Sequence, residues 1–345
     1  MRSRMSPTNA ALAAQLDAAL VRQAMALITP ARRIALLAHE SPDGDCIGSA
    51  LGMAHILMAL GKTCVPACAD PAPRNLSFLP GIEMLARNLG DENFDLVIAL
   101  DAGELRRFGA LYEQHRDFLE RASILNIDHH ISSGGCGQVN IIDPSAAATA
   151  EMIVLFQQQA DLPLPKEGAL CLLTGLITDT SSFQFTNTTP RCLEVAAELL
   201  RHGVTTETVV QPIYRERSLA QARLQAAIID HARTSCEGRL IWSWATDETL
   251  EQAGATAEMD DNSSGMLRDI EGVQIAAFFK SYGTPGVTRL SLRSAAPYNA
   301  AAICQRLSNG LGGGHARAAG ATFHLPIQET MAFVVAELEK EMNKD

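Results

Sequence analysis

The side chains best suited to chemistry in this chain stand at the ends of apolar runs. The stretch "LLAHESPDGDCIGSALG", residues 36–52, carries His39, Asp43 and Asp45. Asp101 closes "VIALD", Asp128, His129 and His130 close "LNIDHH", and Asp179 lies in "LLTGLITDTSSFQF". A carboxylate placed straight after several apolar residues is costly near a core unless something compensates its charge. One alone can be a helix cap, and Asp45 ahead of "IGSALG" suits that role by itself. Five aspartates and three histidines in equivalent positions ask for a common explanation. If they converge, cations must lie between the carboxylates. A mixed imidazole and carboxylate set suits Mn, Zn or Fe, whereas an all-oxygen set points to Mg or Ca. So many ligands suggest two ions rather than one. A pair about 4 Å apart, with a bridging carboxylate and a shared water that becomes hydroxide, serves displacement at phosphorus. In such a site Gly44 would allow the turn between Asp43 and Asp45.

Positioning these residues requires a sheet. "RRIALLAH", "TCVPACA", "FDLVIALDA" and "SILNIDHH" read as strands, with helical periodicity in "IGSALGMAHILMALGK" and in "LYEQHRDFLERA". Unbroken apolar strands alternating with helices indicate a parallel sheet covered on both faces. Ligands of such sheets collect beyond the carboxyl ends of the strands, where the acidic residues fall. Helices are expected over Ala147 to Ala160, Glu167 to Ile177 and Pro190 to His202. Residues 206–237 read as a helical connection. Beyond it, "RLIWSWAT", "VQIAAFFKSYG" and "VTRLSLRSA" read as strands, and "NAAAICQRLSNG" and "IQETMAFVVAELEKEM" as helices. The domains expected are therefore 1–205, a helical linker 206–237, and 238–345. The fold class is α/β: an N-terminal Rossmann-like parallel-sheet domain and a smaller C-terminal α/β domain, with the active-site cleft between them.

Composition narrows the function. The chain has 345 residues, 47% of them hydrophobic, enough for two cores. There is no apolar run of about 20 residues, so no membrane span is expected. The N-terminus lacks the apolar centre of a signal peptide. None of the eight cysteines forms a CxxC pair, which fits reduced thiols in a cytoplasm. Cys64 and Cys68, in "TCVPACA", read as strand cysteines. A net charge of -11 argues against a long duplex as ligand, since duplex grip comes from a basic face. Small anionic ligands held by a few arginines or by metal ions remain compatible.

Taken together, "HESPDGDCIGSALG", "ALDAG", "IDHH", "GLITDTSSFQF" and "GGGHARAAG" resemble the DHH phosphoesterase family, in its bacterial nanoRNase branch. The resemblance implies a manganese pair, with Mg2+ or Co2+ as substitutes. His39, Asp43 and Asp101 would hold one ion, and Asp45, Asp101, His129 and Asp179 the other, Asp101 bridging. His130 would face the scissile phosphate, and Asp128 would orient the histidines. The C-terminal part resembles the DHH-associated substrate-binding domain. Arg293 and Ser294 at a strand end, and a turn of Gly312, Gly313, Gly314 and His315, would grip a terminal phosphate and nucleotide. "ISSGGCGQVN" and the approach to the glycines in "RLSNGLGGGH" depart from the family pattern. The implied substrates are short RNA oligonucleotides and 3'-phosphoadenosine-5'-phosphate. Cyclic or linear dinucleotides are the alternative within the family. A nucleotide-sensing module that does not cleave is the alternative outside enzymes. A homodimer is compatible with all of these.

Overall fold

The computed structural model of the chain describes residues 15–91, 93–260 and 262–343; the side chain of His315 lies outside that description. Two compact units emerge, Met1–Glu216 and Arg217–Asp345. The division falls inside the segment 206–237 that was expected to connect the domains.

The first unit opens with helix α1 (Ala18–Ile28), strand β1 (Arg33–Ala38), helix α2 (Gly44–Ala59) and strand β2 (Thr63–Cys68). Then come β3 (Leu96–Leu100), the short helices α3 (Ala110–Gln114) and α4 (Arg116–Leu119), β4 (Ile124–Asp128) and β5 (Val139–Ile142). Helices α5 (Thr149–Gln159), α6 (Lys166–Asp179), α7 (Pro190–Arg201) and α8 (Thr206–Val210) complete it. The strands form one parallel sheet in the order β2-β1-β3-β4-β5. Strands β3 and β4 are buried along their whole length, as their unbroken apolar sequence requires. Ile34, Leu36 and Ala38 face α2, α5 and α6; Ala35 and Leu37 face Phe108, Leu111 and Leu119 on the other side. Pro66 is tolerated because β2 is an edge strand. The helix expected over residues 111–122 is broken at His115, whose backbone (φ -119°, ψ 25°) leaves the helical region.

The close pairing of α2 with α6 sets the site. The two run antiparallel: Gly44 meets Thr178, Gly48 meets Cys171 and Gly175, and Gly52 meets Leu172 and Gly168. Glycines at i, i+4 and i+8 make one bare stripe on α2. A Cβ on Gly48 would lie 2.5 Å from the Cys171 carbonyl oxygen. Gly44 is therefore a packing residue and the first residue of α2, not the turn glycine expected from its place between two aspartates; a Cβ there would strike the Thr178 side chain.

The second unit contains α9 (Leu219–His231), β6 (Arg233–Ser235), β7 (Leu240–Thr246), α10 (Asp247–Ala253), α11 (Ser263–Arg268), β8 (Ile275–Ser281) and β9 (Thr288–Ser294). It ends with α12 (Ala300–Leu307), β10 (Gly312–His315), β11 (Ala318–Phe323) and α13 (Ile327–Met342). Its sheet is mixed, ordered β10-β11-β9-β8-β7-β6, with only β7 and β8 parallel. The glycine run is thus an edge strand rather than a turn. Gly312 to His315 pair with Ala321 to Ala318, and the chain reverses at Ala316 and Arg317. Ladder pairing satisfies backbone groups that a loose turn would leave to water. Gly314, at φ +137°, would place a Cβ 2.5 Å from the Ala318 carbonyl oxygen. Gly313 has open space where its Cβ would be.

The glycine stripe has a measurable consequence. Gly48→Ala is expected to lower stability by about 1–3 kcal/mol, because a backbone carbonyl cannot yield as a side chain can. Gly134→Ala, where a Cβ would meet nothing within 4 Å, is expected to be neutral within about 0.5 kcal/mol. Urea unfolding of both variants beside the parent checks the pair.

Candidate metal centre

Strands β1, β3 and β4 are neighbours, so their carboxyl ends deliver His39, Asp101 and the 128–130 segment side by side. The amino end of α2 brings Asp43 and Asp45 to the same place, and the carboxyl end of α6 brings Asp179. Asp43 is the N-cap of α2, accepting hydrogen bonds from the N–H groups of Asp45 and Cys46, both at 3.0 Å. The capping role that suited Asp45 by sequence belongs to Asp43. Asp45 instead reaches across to α5, where the N–H groups of Thr149 (2.7 Å) and Ala150 (3.0 Å) donate to it, together with the Ser49 hydroxyl (3.1 Å). Ala148, the N-cap of α5, has no side chain able to cap. A distant carboxylate fills that place.

Asp101 lies between the two histidines. Its Oδ2 is 3.4 Å from His39 Nε2, and its Oδ1 is 3.5 Å from His129 Nε2. Asp43 Oδ2 is 3.9 Å from His39 Nε2. Asp45 Oδ2 and Asp179 Oδ2 are 4.0 Å and 3.4 Å from His129 Nε2. His39 Nδ1–H donates to the Glu40 carbonyl (2.7 Å) and His129 Nδ1–H to the Ala146 carbonyl (3.3 Å). A carbonyl can only accept, so Nδ1 carries the proton and Nε2 is the nitrogen turned to the carboxylates. Asp101 holds φ at +60°, a region that aspartate enters at a cost smaller than most residues bear. The Thr149 hydroxyl donates to its Oδ1 at 2.9 Å.

The charges are far from comfortable. Burial pushes Asp101 well above the usual carboxylate range, and the nearby Asp45 and Asp43 push it further. Burial likewise raises Asp45, against the opposing effect of His129. Asp179 is pushed up to about 8 by burial and by Asp45 and Asp43. Four carboxylates and two imidazole nitrogens facing one another without an intervening cation make an unfavourable arrangement. Imidazole and carboxylate donors of this kind fit Mn2+ well. Cys46 Sγ also lies near His39 and Asp43, and burial pushes its thiol pKa well above the ordinary value.

His130 differs from its neighbour. Its Nδ1 bonds Asp128 Oδ1 at 2.8 Å, leaving Nε2 for other partners, and its side chain is 37% exposed. That bond raises its pKa, with Asp101 adding to the effect. Burial acts to raise Asp128, but the hydrogen bonds it accepts, from His130 among them, hold it below its ordinary value.

The sequence reading missed Thr149, Asn187, Glu151 and Arg191. Asn187 donates to the Asp179 and Ala147 carbonyls at 3.1 and 3.0 Å. The signal for Thr149 was a helix start, "SAAATAE", lacking a capping side chain. In the second unit, Ser294 is buried and its hydroxyl faces the Tyr298 and Ala316 carbonyls at 3.0 and 3.1 Å, which ties the hairpin to β9. Arg293 sits in register between Ala276 and Ala318. Gly313 and Gly314 are exposed on the edge strand.

The raised carboxylates make stability depend on pH. A group whose pKa is higher folded than unfolded binds extra protons in the fold, so stability falls as pH rises between the two values. For Asp179 that window runs from 3.8 to about 8. Metal-free protein is expected to melt at progressively lower temperature from pH 5 to 8, with Asp179→Asn flattening the slope and Mn2+ restoring the loss. Thermal melts of both proteins across that range, with and without Mn2+, check this.

Residues 33–176 match the DHH family, N-terminal domain, and residues 243–344 match the DHHA1 domain. The chain is 34% identical over 315 residues to the bifunctional oligoribonuclease and PAP phosphatase NrnA of Thermus thermophilus, covering 90% of each protein. It is 28% identical to the protein of the same name in Bacillus subtilis, over 84% of this chain and 89% of that one. Its fold matches the crystal structure of an exopolyphosphatase-related protein from Bacteroides fragilis with a TM-score of 0.86, at 23% identity over 95% of this chain and 98% of the other. Among the described residues no helix is long and apolar enough to cross a membrane. With His39, Asp101, His129 and Asp179 gathered where the strands end, the chain belongs to the DHH phosphoesterase family and is a hydrolase.

Proposed function

We propose that this hydrolase is manganese-dependent and cleaves short oligoribonucleotides to mononucleotides and 3'-phosphoadenosine-5'-phosphate to AMP. The observation that carries the reading is Asp101, which turns one carboxylate oxygen to His39 and the other to His129. His39, Asp43 and Asp101 would hold one Mn2+, and Asp45, Asp101, His129 and Asp179 the second. Bound there, the ions supply an activated water at neutral pH and positive charge for the phosphoryl oxygens. The substrate assignment rests on the relatives of Thermus and Bacillus.

The chain's own residues do the rest. Asp128 fixes the His130 ring by its Nδ1 and favours its protonated form, so that Nε2–H is free to donate to a phosphate oxygen or to the leaving group. In the second unit, β10 has one side without a neighbouring strand among the described residues, and backbone N–H groups there suit an anion. Gly313 leaves room for close approach. Arg293 and the 312–315 strand are the proposed recognition groups for phosphate and nucleotide. Ser294 would act by holding the hairpin in place.

Two measurements test the reading. His129→Ala is expected to weaken Mn2+ binding, whereas His130→Ala keeps Mn2+ and loses about 10²–10⁴ in kcat. Equal Mn2+ loss in the two variants contradicts the division of roles. In a length series with Mn2+, a dinucleotide and 3'-phosphoadenosine-5'-phosphate are expected to turn over fastest, with activity falling beyond about five nucleotides. Comparable cleavage of a strand of roughly 24 nucleotides, several times such a span, contradicts the substrate class. Preference for a cyclic dinucleotide favours the other family activity. Mn2+ binding without turnover of any of these marks a sensing module.

A further inference from the structure

The loop between β5 and α5 supplies much of what holds the ligands still. The Ala146 carbonyl orients His129, and the N–H groups of Thr149 and Ala150 hold Asp45. This loop is itself anchored. The Ala147 N–H donates to Glu151 Oε2 at 3.0 Å, and Glu151 has no solvent exposure. A wholly buried carboxylate needs a cation close by, and Arg191 Nε, from the first turn of α7, provides it. The same guanidinium reaches Asp143 Oδ2 at 2.9 Å, at the other end of the loop. One planar fork therefore grips the residue that follows β5 and a residue in the first turn of α5. A lysine cannot do both.

We infer that Arg191 is a positioning residue for the metal centre: by clamping Asp143 to Glu151 it fixes the 143–151 segment and with it His129 and Asp45. The inference rests on the Mn2+ assignment given above. Outer partners of metal ligands commonly govern affinity by about ten- to a hundred-fold.

The probe is Mn2+ alone, titrated calorimetrically into the full chain. Failure of the parent protein to bind Mn2+ overturns the assignment of the centre itself. With a binding parent, Arg191→Lys keeps a positive charge beside Glu151 but loses the fork. It is expected to bind Mn2+ about ten-fold or more weakly, with a metal-free melting temperature close to the parent's. The double variant Arg191→Met/Glu151→Gln, which removes both charges of the pair together, is expected to behave alike. A merely structural role predicts the reverse, a lower metal-free melting temperature with unchanged Mn2+ affinity, and that result overturns the inference. Should both variants fail to fold, Asp143→Asn decides, because its arm of the fork is partly solvent-exposed. Weaker Mn2+ binding there supports the clamp, and parental affinity overturns it.

Discussion

Carboxylates repel one another strongly when they share a region that water barely enters, and this repulsion governs the first unit. Asp45 and Asp101 are 1% and 2% exposed, so neither can dissipate its charge into solvent. Interaction between like charges at such separations is several-fold larger near a protein core than in water. The fold answers with directed dipoles. The start of α5 turns its N–H groups on Asp45, the start of α2 turns its own on Asp43, and Thr149 gives Asp101 a hydroxyl. Helix amino ends carry partial positive charge, so both starts act in the favourable direction. The end of α6 has the opposite polarity and carries Asp179, which leaves a deficit of positive charge that a cation can meet.

Close helix packing makes this geometry attainable. Asp45 meets α5 where α2, α5 and α6 come together, and the glycine of α6 leaves room for it. A Cβ on Gly175 would stand 2.6 Å from Asp45 Oδ1 and 2.8 Å from the Ala150 Cβ. Gly175 is thus as closely tied to the arrangement of Asp45 as the groups that hydrogen-bond it. Its contribution is space, felt directly by the two neighbouring helices.

Much of this was legible in sequence. Strands β1 to β4 announced themselves as continuous apolar runs, and the acidic residues stood at their ends. What escaped has a physical reason in each case. Strand β5 is four residues long and only alternately buried, too short to show a period. The hairpin of β10 and β11 is built from glycine and alanine, which carry no alternation of polarity, so "GGGHARAAG" looked like a turn. Glu151 and Arg191 lie 40 positions apart, and nothing local to either marks it as half of a buried pair. His39, Asp101 and His129 could be placed at strand ends, but which oxygen faces which ring depends on the order β1-β3-β4, and a sequence does not print that order.

The left-handed backbone at Asp101 narrows the ways this site can change by descent. Glutamate would keep the charge, yet it must accept a backbone region it rarely visits while also moving its carboxyl outward. Asparagine and glycine adopt that conformation readily, and each is one nucleotide away from aspartate in the genetic code. Both abandon the charge between the two histidines while leaving the strand end undisturbed. The backbone at this strand end therefore accepts the loss of the carboxylate more readily than its replacement by the longer acid.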